Sequence, residues 1–138
     1  MKILFVDDEK RRMEPVKEEL ELNQHKVVFE DRIEDAVKLI EDTTNKFDVF
    51  IIDVSMPPGD VFRAEDTYGG ARTGIHLYNR LRKARPNAKV VVLTNVADRG
   101  VAERLGKELP SLCRFIRKAS ILPYELVEEI EKFVSARS

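Results

Sequence analysis

The spacing of hydrophobic positions changes repeatedly along this chain. "KILFV" (Lys2–Val6) is a short run of branched and aromatic residues, which predicts a strand buried on both faces. Met13, Val16 and Leu20 then share one helical face, with Pro15 tolerable if it lies in the first turn. "KVVFE" (Lys26–Glu30) predicts a second strand. Ile33, Ala36, Val37 and Ile40 form a second helical stripe, closed by the polar cluster Thr43–Lys46. "FDVFIID", ending at Asp53, is the third strand. Ile75, Leu77, Tyr78 and Leu81 mark a third helix that must end before Pro86. "AKVVVLTN" and "LCRFIRK" supply strands four and five. Between them Val101, Leu105 and Leu109 run along a fourth helix stopped by Pro110. Pro123 fits the first turn of a fifth helix carrying Leu126, Ile130 and Phe133.

A helix after each strand predicts an α/β fold on a parallel sheet covered on both faces. The 138 residues suit one domain, 1–138, and no repeat or linker divides them. The last helix is expected to run almost to Ser138, with nothing left over for an effector domain. A net charge of −1 gives no electrostatic case for nucleic acid or an anionic membrane. No apolar run approaches a membrane span, and the N-terminus does not read as a signal peptide. With Cys113 alone there is no internal disulfide framework, so the chain reads as reduced and cytoplasmic. Cys113 heads an apolar strand and is expected in the core. His25 and His76 lack metal-ligand spacing and read as surface or half-buried polar residues.

Chemistry concentrates at the strand ends. In open α/β sheets ligands bind beyond the carboxyl ends of the strands. Strand one ends in Asp7 and Asp8, strand three in Asp53, strand four in Thr94 and strand five in Lys118. Three carboxylates in one pocket raise each other's pKa unless a cation intervenes. Oxygen-only ligands with room for water and a phosphoryl group suit Mg2+ better than Zn2+. Lys118 can pair with the carboxylates and then with a phosphate, while Thr94 can donate to a phosphoryl oxygen. Asp53 as nucleophile would become an aspartyl phosphate. Singly, each residue could equally be a helix cap, a turn residue or a surface lysine.

"ILFVDDE", "DVFIIDVSMP", "VVVLTN" and "FIRKAS" together resemble the response-regulator receiver domain, the phosphoacceptor module of two-component signalling, over essentially the whole chain. The resemblance implies a flavodoxin-like, doubly wound sheet of order 2-1-3-4-5. Helices one and five would lie on one face and two to four on the other. It implies that Asp53 is phosphorylated by a histidine kinase or histidine phosphotransfer protein. Asp8, Asp53 and the backbone carbonyl of Ser55 would bind Mg2+, with Asp7 acting through water. Lys118 would pair with Asp53 and then the phosphoryl group. Thr94 would be drawn inward, and Phe115 would follow it as the switch aromatic. The output would be changed binding of a downstream protein, with no direct nucleic-acid or membrane contact. The face of helix four, strand five and helix five is also a homodimer surface in this reading. Activity beyond self-phosphorylation and autodephosphorylation is not expected.

The chain departs from the family pattern at four places. Ala119 follows Lys118 where the family usually has a cis proline. A cis bond before alanine costs about 2.5–4 kcal/mol, so a trans bond is expected. Asn95 follows Thr94 where the family prefers a very small residue, and its amide could cover the aspartyl phosphate or donate to it; Val96 offers no group to orient water, which together predict slow autodephosphorylation. Thr73 stands where an acidic or amide residue often precedes the family's glycine, here Gly74. The largest departure is an insertion loop, about residues 57–73, "PPGDVFRAEDTYGGAR" at its heart. Structureless loops longer than about 12–15 residues are usually functional or disordered. It reads either as a tolerated surface insertion or as a lid or docking element. In the second case Phe62 and Tyr68 pack it down, and Arg63 or Arg72 is available to anions.

Three rival functions remain in view. The same scaffold could bind partners without phosphorylation. A phosphohydrolase with an aspartyl nucleophile after strand one would need D-x-D, whereas Asp7 and Asp8 are adjacent. A flavin binder would need a Ser-, Thr- and Gly-rich loop where "DDEKRRMEP" would repel phosphate.

Overall fold

The computed structural model describes residues 1–63, 66–94, 99–118 and 121–136. Strands β1 (Lys2–Val6), β2 (Lys26–Glu30), β3 (Val49–Asp53), β4 (Val90–Thr94) and β5 (Cys113–Arg117) form one parallel sheet. Its order is β2-β1-β3-β4-β5, as the resemblance implied. Helices α1 (Lys10–Leu22), α2 (Ile33–Glu41), α3 (Thr73–Ala84), α4 (Arg99–Leu105) and α5 (Pro123–Ser135) alternate with the strands. No helix among the described residues is long and apolar enough to cross a membrane.

Side chains alternate across a strand, so each apolar run feeds two cores. Leu4, Val6, Phe50, Ile52, Val90 and Val92 pack with residues of α2, α3 and α4. Ile3, Phe5, Val49, Ile51, Val91 and Leu93 pack with residues of α1 and α5. The central strands β3 and β4 are buried at every position, which accounts for their unbroken hydrophobic runs.

Three local expectations need correction. Pro15 lies in the second turn of α1, because the helix already begins at Lys10. The proline removes the donor for the Arg11 carbonyl, but both residues are exposed, so water can satisfy that oxygen. Leu109 is not on α4, which ends at Leu105. Gly106 follows with little helix propensity, and the Leu109 carbonyl instead accepts from Leu112 N and Cys113 N in the turn into β5. Cys113 is half-buried at the sheet edge and packs against the first core from outside it.

The end of the sheet opposite the carboxylates is held by cations on backbone carbonyls. Arg85 donates to the carbonyls of Leu39, Ile40, Asp42 and Asn45, closing the C-terminus of α2, and its guanidinium lies 5.1 Å from the Phe50 ring centre. Arg82 reaches the Ala88 carbonyl at 2.6 Å and the Leu112 carbonyl at 3.1 Å. Lys89 Nζ donates to the carbonyls of Phe133, Val134 and Ala136 at the end of α5. Among them, the carbonyls of Leu39, Ile40, Phe133 and Val134 are acceptors of the kind a helix leaves orphaned at its C-terminus, where its dipole favours positive charge.

Replacing Arg85 by alanine strands four carbonyl acceptors at once. The expected loss is about 2–3 kcal/mol of unfolding free energy, read as a lower urea midpoint at unchanged slope. Arg85→Lys should recover little of it, because one ammonium cannot span the fork that the guanidinium fills.

Candidate functional site

Parallel register builds the site directly. Val6 pairs with Ile52, so Asp7 emerges beside Asp53 at the carboxyl ends of β1 and β3. Asp53 pairs with Leu93, and Thr94 pairs with Arg117, so Thr94 and Lys118 each stand one residue beyond. Four strand ends thereby deliver their polar residues to one rim.

Carboxylate oxygens of Asp7, Asp8 and Asp53 lie within 4.8 Å of one another. Asp7 and Asp53 are buried, whereas Asp8 is exposed and open to solvent. Lys118 Nζ sits among them, 2.7 Å from Asp7 Oδ2 and 3.3 Å from Asp53 Oδ2. The lysine expected to pair with Asp53 is therefore shared, and its nearer partner is Asp7. The Lys118–Asp7 contact is a close ion pair between two buried groups, and Asp7 Oδ2 meets no other donor among the described residues. Asp7 Oδ1 accepts from Glu9 N at 2.8 Å.

Glu9 is a participant that the sequence reasoning missed. Its Oε2 lies 3.6 Å from Lys118 Nζ and is also buried without a hydrogen bond. The acidic run "DDE" carried the signal, but only its first two members were singled out.

The charge balance of the pocket shows in its titration. Burial, and then the charge of Asp7, push Asp53 up from 3.8 to about 7, against the downward pull of Lys118. Burial and Asp7 also raise Asp8. Burial alone would lower Lys118, but its contact with Asp7 and the charges of Asp53, Asp7 and Glu9 outweigh that and hold the ammonium above its ordinary value. One cation thus serves more carboxylates than it can neutralise. The closely set hard oxygens of Asp7, Asp8 and Asp53, two of these residues buried, fit a small divalent cation that prefers oxygen ligands.

The remaining expected residues are spread around this centre. Thr94 is buried at the end of β4. Ser55 is exposed between the buried Val54 and Met56. Phe115 is half-buried on β5 opposite Val92 and packs against the first core. Asn95 and Ala119, and with it the geometry of the Lys118–Ala119 bond, lie outside the described residues.

The insertion occupies residues between β3 and α3, and Thr73 already belongs to the helix. Phe62 is half-buried, its ring 5.7 Å from that of His76, with the Arg80 guanidinium 6.0 Å above it. The His76 ring donates from Nε2 to the Asp66 carbonyl, and Asp60 N donates to Glu34 Oε1. These contacts lay the loop along α2 and α3. Tyr68 does not pack it down: the residue is 67% exposed and carries the Arg72 guanidinium 4.4 Å from its ring centre. Its positive φ of 53° turns the chain at the loop tip, where the side chain meets solvent. Arg63 is exposed.

Comparison with known proteins agrees with this fold. The family model of the response regulator receiver domain matches residues 3–111. No curated protein matches the chain. Among solved structures, a CheY-like receiver domain protein from Methanospirillum hungatei superposes with a TM-score of 0.76 at 22% identity, covering 96% of this chain and 92% of the other. The receiver domain of Francisella response regulator 1452 gives 0.70 at 25% identity, covering 96% and 95%. A Burkholderia pseudomallei response regulator, solved with a phosphorylated aspartic acid, calcium ion and citrate, gives 0.69 at 20% identity, covering 98% and 66%. With the family model spanning most of the sheet and an acidic pocket at the expected strand ends, the chain belongs to the response regulator receiver domains.

Proposed function

We propose that Asp53 accepts a phosphoryl group from the phosphohistidine of a histidine kinase or histidine phosphotransfer protein, and that the modification changes binding of a downstream protein. The observation that carries this reading is the Asp53 carboxylate, buried at a strand end with Lys118 3.3 Å away and two further carboxylates within 4.8 Å. Asp8, Asp53 and the Ser55 carbonyl, with Asp7 through water, would hold Mg2+. When bound, that ion supplies charge neutralisation for the phosphoryl oxygens.

The residues of this chain do the positioning. An Asp53 oxygen attacks phosphorus in line, forming the P–O bond as the P–N bond to histidine breaks. Lys118, already within reach of both Asp7 and Asp53, shifts its contact to the phosphoryl oxygens. Thr94 donates its hydroxyl to the same group, and Phe115 moves into the space left behind. A groove of about 280 Å³ between α4 and β5 is lined by Leu105, Cys113, Arg114 and Phe115, so a rotation of Phe115 reshapes a surface open to a partner. The same α4–β5–α5 face would serve a homodimer. The Burkholderia regulator of this fold, with its phosphorylated aspartic acid, supports the assignment.

Intact-mass analysis after acetyl phosphate and Mg2+ should show the gain of one phosphoryl group on the wild type. Asp53→Asn, or chelation of the metal, should abolish it. An unlabelled wild type that still binds its partner would favour a phosphorylation-independent scaffold.

Proton and cation compete for the same oxygens. Because folding raises Asp53, the stability it contributes is complete below about pH 4 and is lost as pH rises through about 7. The loss for the metal-free protein is at most on the order of 4 kcal/mol by pH 8. Thermal denaturation without metal should therefore find Asp53→Asn more stable than wild type at pH 8, with the gap narrowing towards pH 5. Mg2+ should raise the wild-type midpoint more at pH 8 than at pH 6, since binding expels a proton. Equal midpoints for the two proteins at every pH would show that Asp53 carries no buried-charge penalty.

A further inference from the structure

The insertion ends in a return arm, residues 67–74, that is stitched to the chain on both sides of Ser55. Gly74 N donates to the Val54 carbonyl at 2.8 Å, and Met56 N donates to the Gly70 carbonyl at 3.0 Å. The buried Thr73 hydroxyl donates to the Met56 carbonyl, with the Gly70 carbonyl 3.2 Å from the same oxygen. Behind this layer Thr67, fully buried, accepts from Gly70 N on Oγ1 and from Arg72 N on its carbonyl.

The fit leaves no slack. A Cβ on Gly74 would meet the Asp53 carbonyl oxygen at 2.1 Å. A Cβ on Gly70, whose φ is +102°, would meet the Met56 carbonyl oxygen at 2.8 Å. Val54 and Met56 are thus fixed by the arm, while Ser55 between them is exposed. The one residue left facing solvent is the one whose carbonyl the proposed metal site requires.

We propose that Thr73, backed by Thr67 and Gly70, is a positioning residue for the Ser55 carbonyl, so that the return arm of the insertion sets the affinity of the acidic pocket for Mg2+. This rests on the Mg2+ reading of the pocket. The Thr73 hydroxyl fixes the backbone immediately after Ser55, and a displaced carbonyl there is a lost or lengthened ligand. By linkage, anything bound to the arm that changes cation affinity by some factor has its own affinity changed by the cation by that same factor.

The test is Mg2+ titration of the full chain, followed by amide NMR shifts of Asp8, Asp53 and Ser55 with no phosphodonor present. Thr73→Val keeps the shape and removes the hydroxyl. It should weaken Mg2+ about ten- to a hundredfold, in the range seen when groups supporting metal ligands are removed. Thr73→Ser should restore the affinity, which distinguishes positioning from a general loss of stability. Should Thr73→Val fail to fold, Thr67→Val carries the test, with a smaller weakening expected because it acts one layer further back. A folded Thr73→Val that binds Mg2+ as tightly as wild type overturns the proposal while leaving the pocket reading intact. A wild type whose Asp8 and Asp53 amides ignore Mg2+ overturns both.

Discussion

Everything at the functional end of this molecule follows from one ammonium surrounded by too much negative charge. Lys118 lies within 4 Å of Asp7, Glu9 and Asp53, and Asp8 adds its charge from the solvent side. An isolated pair of this kind could settle into a closed salt bridge. Here the lysine is shared among three carboxylates, and Asp7 Oδ2 and Glu9 Oε2, both buried, meet no other hydrogen-bond donor among the described residues. The pocket costs stability as it stands, and that cost is what a divalent cation would relieve. Unrelieved like charge is affordable only because the strands hold it in place: β1 and β3 are locked in register by their hydrophobic neighbours on both faces.

The two ends of the sheet solve opposite problems. At the far end Arg82, Arg85 and Lys89 spend their charge on backbone carbonyls that helix and strand termini leave unpaired. Those contacts match each positive charge with carbonyl oxygens. At the near end the polar groups are carboxylates, and the cation available to them is shared. Burial raises Asp53 to about 7, so its charge state and its partner are both open to change near neutral pH. Stability is concentrated where nothing has to move, and frustration is concentrated where a ligand can act on it.

The strands and their order were legible because the sequence carries them as period and composition. "VFII" and "VVVL" are continuous apolar runs since β3 and β4 have no solvent face. Asp7, Asp8, Asp53 and Lys118 were legible because a parallel sheet must bring strand ends together, whatever the loops do. Pro15, Leu109 and Cys113 were misplaced for a common reason: each stands near a boundary, where one turn more or less of helix, or an edge in place of a centre, leaves the local pattern unchanged. Glu9 was hidden by proximity to two stronger candidates. Thr73 was invisible as anything but a departure, because its partner, the Met56 carbonyl, is a backbone group that no side-chain pattern announces.

That last point bears on how a long insertion can sit beside so constrained a pocket. The Gly74 amide and Val54 carbonyl are bonded to each other, so the loop is closed at its neck before the insertion proper begins. Loop-closure entropy grows only slowly with length, which lets the outer part of such a loop vary at little cost to the fold. The pocket does not feel the length of the insertion. It feels the few residues at the neck, where the absence of a side chain on Gly74 and Gly70 lets the arm approach the backbone of β3 and its following turn. The hydrogen bonds run unbroken from Thr67 through Gly70 and Thr73 to the Met56 carbonyl, one peptide group beyond that of Ser55, so the part of the insertion that bears on the pocket is its neck and not its exposed outer residues.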